Sequence, residues 1–169
     1  MSKSSLRRQV RAALVDVEAL MPIPWDLDEF VRRLASARGR PITLVPWHFP
    51  VGGDAPSGLW LPTAKADYLF HDASASPARR EQIIGHELGH MLLEHTPRLA
   101  DAPPGLLDGL APSLSQGLRQ RFLSMARTGY ATAEEATAEE FGTSLIRLGT
   151  TRRRPGGSDE QGRLADVLR

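Results

Sequence analysis

The chain contains no cysteine among its 169 residues. It can therefore form neither a disulfide nor a thiolate metal site, and any bound metal would need histidine, aspartate or glutamate ligands. The formal net charge is +1, so the sequence also lacks the strong basic excess that is typical of proteins that bind nucleic acid. We expect no direct contact with nucleic acid.

Long hydrophobic runs are absent as well. No apolar stretch approaches the roughly 20 residues that span a bilayer. Near the N-terminus, Arg11, Asp16 and Glu18 interrupt the segment in which a signal peptide would need an apolar core. We therefore expect no membrane segment and a cytoplasmic location.

Several predicted helices begin or end at residues with capping chemistry. Asp26 opens the second of two N-terminal amphipathic helices, and Gly39 ends it. Ser76, followed by Pro77, predicts the start of a third helix. We expect this helix to run to about His95.

Short apolar runs at residues 41–46, 57–62 and 67–72 predict three strands, the last two joined as a hairpin. Strands of this size form a small sheet that needs helices against one face. The sequence therefore predicts an α+β fold with a three-stranded, mostly antiparallel sheet packed against helices. We expect one domain over residues 1–150, followed by a basic linker and a short tail at 151–169.

The stretch EQIIGHELGHMLLEH, residues 81–95, contains three of the five histidines. His86 and His90 lie four apart, so on a helix their imidazoles share one face and can bind one metal ion. Glu87 flanks that face, close enough to hold a water molecule on the metal. This His-Glu-x-x-His pattern is typical of zinc hydrolases, in which the glutamate accepts a proton from the water. A helix with surface histidines is the alternative, but the apolar neighbours predict a buried helix, in which such groups need partners.

A catalytic zinc site keeps three protein ligands and one open position. His95 lies nine residues after His86, about half a turn around, so it points away from the metal if the helix continues that far. We expect His95 to be a residue at the helix end or at the rim of the pocket. Glu135 and Glu139 lie four apart on a later helix; one could bind the metal and the other could accept the free N–H of a ligand histidine. A capping box of Thr132 and Glu135 is the structural alternative for these acids.

Two segments, HELGHMLLEH and EATAEEFGTSLI, resemble the motifs of the ImmA/IrrE family of metallo-endopeptidases, which are of gluzincin type. The resemblance covers most of the predicted domain. It implies that Glu135 is the third metal ligand beside His86 and His90, whereas Glu139 stands where the family usually has Asn or Asp. The implied activity is cleavage of a helix-turn-helix transcriptional repressor, which relieves repression.

We therefore expect a zinc-dependent endopeptidase in which Glu87 is the general base and Glu139 orients a histidine. Manganese stays open as the metal used in the cell, because availability as well as affinity decides which ion is bound. Tyr130 and His95 are candidates for supporting the transition state, and the predicted loop 96–113 would border the cleft. One alternative is a metal-containing regulatory module that binds a protein without cutting it. Another is a metal hydrolase that acts on a non-peptide substrate, since the motif does not determine the bond attacked.

Overall fold

The computed structural model of the chain describes residues 3–49, 56–95 and 131–152. In these ranges the chain forms two helices, three strands and two further helices: α1 (Lys3–Glu18), α2 (Leu27–Arg38), β1 (Ile42–Trp47), β2 (Gly58–Pro62), β3 (Asp67–Asp72), α3 (Pro77–Leu92) and α4 (Thr132–Thr151). Helices and strands are segregated along the chain rather than alternating, and the sheet packs against helices. The predicted α+β class is confirmed.

The predicted caps are present at both ends of α2 and at the start of α3. The Oδ1 atom of Asp26 accepts a hydrogen bond from the Glu29 N–H at 2.8 Å. Gly39 ends α2 with φ at 60°, a left-handed conformation that glycine adopts without steric cost. The Ser76 hydroxyl accepts a hydrogen bond from the Arg79 N–H at 3.3 Å. These caps fix where α2 ends and where α3 begins.

The three strands form one mixed sheet in the order β1-β3-β2. β2 and β3 pair antiparallel, as predicted for a hairpin, whereas β1 and β3 pair parallel. The three-stranded sheet is confirmed, but the parallel pair departs from the mostly antiparallel arrangement that we predicted. The connections explain the difference. The short turn at 63–66 forces β3 to fold back on β2, so that pair is antiparallel, whereas β1 and β3 are not joined by a hairpin and run in the same direction.

A buried acid fixes the hairpin against the end of α2. The Asp67 carboxylate, which is 1% exposed, accepts hydrogen bonds from Arg40 Nε at 2.8 Å, Arg38 Nη1 at 3.1 Å and Trp60 Nε1 at 3.2 Å. These three charged or polar donors satisfy a carboxylate that would otherwise be costly to bury. The contact with Trp60 links β2 to β3, and the two arginines link this hairpin to the end of α2.

The helix α3 contacts β2 and β3 on one side and α4 on the other. Its buried apolar side chains join those of the sheet and of α4 in one core, which includes Trp60, Leu69, Ile84, Leu88, Met91, Phe141 and Leu145. Burying a side chain of this size contributes roughly 1.5–3 kcal/mol. The core therefore holds α3, and the histidines on it, in one orientation.

Small residues let α3 and α4 approach each other backbone to backbone. A Cβ atom added at Gly89 would lie 2.8 Å from the Cα of Ala138, and one added at Gly142 would lie 2.7 Å from the carbonyl carbon of Gly85. Neither backbone can move aside without shifting a whole helix. This close approach brings the side chains of α4 within reach of those on α3.

Several predictions fall on residues outside these ranges. They are the loop 96–113, the side chain of Tyr130, and the tail 151–169 apart from its first two residues. Among the helices that are described, none is long and apolar enough to cross a membrane.

Candidate metal centre

The two histidines of α3 present their ring nitrogens to the same point. His86 and His90 lie one helical turn apart, and their Nε2 atoms are 2.9 Å from each other. His90 is buried, with 1% of its side chain exposed, whereas His86 is partly exposed at 24%. The pair therefore forms a site that is closed on the side of the core and reachable from the side of His86.

The third group comes from α4. The Oε2 atom of Glu135 lies 3.2 Å from His86 Nε2 and 3.8 Å from His90 Nε2. A tetrahedral zinc ion with nitrogen and oxygen ligands at about 2.0–2.2 Å has ligand atoms roughly 3.3–3.6 Å apart. The three atoms lie close to this spacing, all within 4.8 Å of one another. His86, His90 and Glu135 can therefore hold a metal ion.

The start of α4 differs from our prediction in a way that concerns Glu135. The predicted capping box of Thr132 and Glu135 is wrong: Ala131 is the N-cap residue, and its N–H donates to Glu134 Oε2 at 2.8 Å. The Glu134 carboxylate thus accepts the backbone N–H at the start of α4, and the neighbouring carboxylate of Glu135 turns toward α3. The sequence alone could not decide this, since both acids lie within the first turn.

Glu139, one turn further along α4, lies beside the other nitrogen of His86. Its Oε2 atom is 3.3 Å from His86 Nδ1, although 72% of its side chain is exposed. A ligand histidine commonly donates its second N–H to a carboxylate, which fixes the orientation of the ring. The structure brings Glu139 to the place where the predicted orienting role requires it.

Glu87 is buried between α3 and the strand β2. Its side chain faces Gly58, where an added Cβ atom would lie 2.7 Å from Glu87 Oε1. Burial raises the pKa of Glu87 to about 7, and a hydrogen bond from the Trp60 backbone and the nearby His86 oppose this rise. The second oxygen, Oε2, is buried with no hydrogen-bond partner in the described part of the chain. A buried, unpaired carboxylate oxygen of this kind is rare unless it has a function.

The acids and histidines of the site shift the pKa values of one another. Hydrogen bonds with His86 and His90 hold the pKa of Glu135 well below its usual range. Burial acts to lower the pKa of His86, but Glu135, Glu87 and Glu139 together outweigh burial and raise it. Burial lowers the pKa of His90. Glu135 and His90 are thus held in the forms, carboxylate and neutral imidazole, that bind a metal ion.

The helix α3 is shorter than predicted, and this decides where His95 lies. The helix ends at Leu92 instead of continuing to about His95, and Glu94 takes a left-handed conformation with φ at 54°. The chain therefore turns back, and His95 Nδ1 comes within 3.0 Å of His90 Nδ1. The half-turn offset from His86 applies only to a continuous helix and does not hold here. His95 lies just beyond the helix end, behind a candidate ligand and on the side opposite to Nε2.

Two residues beside the site were not singled out from the sequence. Thr137 is 3% exposed, and its Oγ1 atom lies 3.2 Å from His95 Nε2. Its spacing from Phe141, four residues later, was a usable sign that this threonine faces the core. Gly58 had no such sign, because the need for a glycine arises only from the contact with Glu87.

The two remaining histidines lie apart from this group. His71 is buried in β3, with its Nδ1 atom 3.3 Å from the Asp72 carbonyl oxygen, and His48 is exposed after β1. Comparison of the chain with protein-family models, with curated proteins and with solved structures gave no match.

Proposed function

We propose that the protein is a zinc-dependent metallo-endopeptidase. The observation that carries the proposal is the convergence of His86, His90 and Glu135 beside the buried, unpaired oxygen of Glu87. Within the described part of the chain these side chains supply three ligands and no fourth, which is the arrangement of catalytic rather than structural zinc sites. The ligand set contains no thiolate, which suits zinc or manganese.

Zinc bound at this site would act as a Lewis acid that makes water acidic enough to attack a carbonyl carbon near neutral pH. Glu87 accepts the proton from the attacking water on a carboxylate oxygen. It then returns this proton to the amine nitrogen that leaves when the peptide bond breaks. A pKa of about 7 suits both steps, because proton transfer in each direction is then nearly balanced at neutral pH.

The strand β2 offers a place for an extended substrate. Hydrogen bonds at both ends of the hairpin, from Asp72 N–H to the Ser57 carbonyl and from Thr63 N–H to the Ala66 carbonyl, set which backbone groups face β3. By the alternation of an antiparallel pair, the backbone groups of Gly58 and Trp60 face the other way. No described strand pairs with that edge. The Trp60 N–H on that edge already donates to the Glu87 carboxylate, so a peptide added there as a further strand would pair with the other outward backbone groups and run beside Glu87.

A helix-turn-helix transcriptional repressor is the substrate that we propose. The support for this step is the resemblance of HELGHMLLEH and EATAEEFGTSLI to ImmA/IrrE peptidases. We propose the cytoplasm as the compartment, since such a repressor acts there. The protein would then relieve repression by cutting the repressor, without contacting nucleic acid itself.

The substitution Glu87→Gln tests the proposal, because it removes the proton acceptor and leaves the three ligands in place. We expect zinc to bind stoichiometrically and cleavage of a co-encoded helix-turn-helix repressor to fall by at least roughly 100-fold. Glu81→Gln, on the same helix but outside the site, is the matched control and should cleave normally. Full cleavage by the Glu87 variant would remove this residue from the mechanism. Zinc binding by the unaltered protein without cleavage of repressors or small amides would favour a non-catalytic binding module.

A further inference from the structure

His90 has a contact on each of its two ring nitrogens. Nε2 faces His86 and Glu135, whereas Nδ1 lies 3.0 Å from Nδ1 of His95. The turn after α3 fixes this second contact, since the His95 N–H donates to the His90 carbonyl oxygen at 3.0 Å. The backbone and the ring of His95 are thus both fixed relative to His90.

The other ring nitrogen of His95 contacts a side chain of α4. His95 Nε2 lies 3.2 Å from the hydroxyl oxygen of Thr137. That hydroxyl lies 3.1 Å from the Ala133 carbonyl oxygen and 2.9 Å from the Glu134 carbonyl oxygen, to either of which it can donate. Threonine in a helix often donates to a carbonyl one turn back. Thr137 therefore connects the ring of His95 to the same helix turn that carries Glu135.

The proton positions along this chain of contacts follow from one requirement. A metal ion on His90 Nε2 needs the lone pair of that nitrogen, so the proton of the neutral ring lies on Nδ1. His90 Nδ1–H then donates to His95 Nδ1, which places the proton of His95 on Nε2. That Nε2–H donates to Thr137, whose hydroxyl proton goes to a backbone carbonyl. The reverse direction would place a proton on His90 Nε2 and block the metal.

We propose that His95 and Thr137 are positioning residues that hold His90 in the tautomer that binds metal. The inference rests on the metal site of the proposed function but not on proteolysis. Neither residue contacts the point where the three ligand atoms meet, so neither is a ligand or a catalytic residue. Orienting partners of this kind typically contribute 10–100-fold to metal affinity. Here the acceptor for the ligand is a second histidine, which is in turn held by a threonine on the opposite helix.

The test is the zinc affinity of the full chain, measured by competition with a chromophoric chelator. We expect His95→Ala and Thr137→Val to weaken zinc binding by roughly 10–100-fold. Thr137→Ser keeps the hydroxyl and should bind as the unaltered protein does, and His48→Ala is the control for loss of a histidine outside the site. Thr137→Val preserves shape, so its metal-free unfolding temperature shows whether the fold is retained. Unchanged affinity in Thr137→Val and His95→Ala would overturn the inference.

A spectroscopic measurement distinguishes an effect on the tautomers of the His90 and His95 rings from a general loss of fold stability. Long-range ¹H–¹⁵N correlation spectra of the zinc-loaded protein report the tautomer of each imidazole. We expect His90 to be protonated on Nδ1, and His95 to be protonated on Nε2 alone. A proton on His95 Nδ1 would overturn the inference even if the protein is a peptidase. Failure of the unaltered protein to bind zinc would instead overturn the metal site and, with it, the proposed function.

Discussion

At the scale of single residues, Glu87 lies where a charged carboxylate is costly. It is 5% exposed, and its pKa is raised to about 7 by burial. In most proteins such a group would be replaced by an amide or an apolar side chain. Here the Oε2 atom, which has no hydrogen-bond partner in the described part of the chain, lies beside residues that can hold a metal ion. The burial that makes the carboxylate costly also raises its pKa into the range that a base needs near neutral pH.

This raised pKa predicts a pH dependence of the stability of the metal-free protein. Glu87 has a pKa of 4.5 in the unfolded chain and about 7 in the fold, so between these values the folded state binds more protons. The free energy of unfolding should therefore fall as pH rises from 4.5 to about 7, by roughly 3 kcal/mol in total from this group. Glu87→Gln cannot ionise and should lack this contribution.

Denaturant unfolding at a series of pH values, in the presence of a chelator, measures the effect as the difference between the variant and the unaltered protein. Glu81→Gln, on the same helix but outside the site, is the control for the loss of a carboxylate. If the curves for Glu87→Gln and the unaltered protein run parallel between pH 4.5 and 7, the carboxylate is not held in its neutral form by burial.

At the scale of elements, the contact between β2 and α3 sets the place of Glu87, the proposed general base. Gly58 is the residue of β2 that faces Glu87, and there is no room for a larger one. An added Cβ atom would lie 2.5 Å from Ile83 Cγ2 and 2.7 Å from Glu87 Oε1. Strand and helix are both held by the core, so the side chains of Ile83 and Glu87 are the parts that must move.

Gly58→Ala should therefore separate catalysis from metal binding. We expect the rate of peptide cleavage to fall by roughly 10–100-fold, because displacing a reacting group by about 1 Å has an effect of that size. The zinc affinity should change little, since the atoms nearest to the added Cβ belong to Ile83 and Glu87 and not to the three candidate ligands. Ser57→Ala alters the preceding residue and is the control. An equal loss of zinc affinity and cleavage rate would show that the substitution disturbs α3 as a whole.

The contact between α3 and α4 shows how much of the site was predictable. The pairing of His86 with His90 follows from helical spacing, and the structure places them as that spacing requires. The contribution of α4 was only partly predictable: Glu135 and Glu139 were both candidates, and the contacts with His86 separate their roles. The contact of His95 with His90 was not predicted, because nothing in the local pattern marks Leu92 as the last helical residue.

At the scale of the whole molecule, the candidate metal site connects parts of the chain that are distant in sequence. His86 and His90 lie on α3 and Glu135 on α4, and residues 96–130 lie between them. A ligand that binds the folded state and not the unfolded chain stabilises the fold according to its concentration and affinity. A metal ion at this site should therefore stabilise the protein as a whole, not only the two helices.

Zinc at 100 times its dissociation constant should raise the free energy of unfolding by about 2.7 kcal/mol. For a chain of this length the unfolding temperature should rise by roughly 5–10 °C. Calorimetry with zinc and with a chelator measures the shift. Glu135→Gln should lose most of it, whereas Glu140→Gln, an exposed acid on the same helix, should keep it. The absence of any shift in the unaltered protein would mean that the three side chains do not bind zinc.

The local features were determined by the sequence itself. Helix starts at Asp26 and Ser76, the stop at Gly39 and the pairing of His86 with His90 depend on neighbours in the chain, and capping and helical spacing act at that range. The α+β class followed from the order of these elements. Such features could be predicted because each depends on residues within about one helical turn.

Only the tertiary structure decided which strands pair in parallel, which acid of α4 meets the histidines, and where His95 lies. Each of these depends on contacts between segments that are far apart in the chain: β1 with β3, Glu135 with His86, and His95 with Thr137. The free energy of such contacts comes from packing in the shared core and from pairing of buried polar groups. No local pattern contains that information, because it exists only once the helices and the sheet have come together.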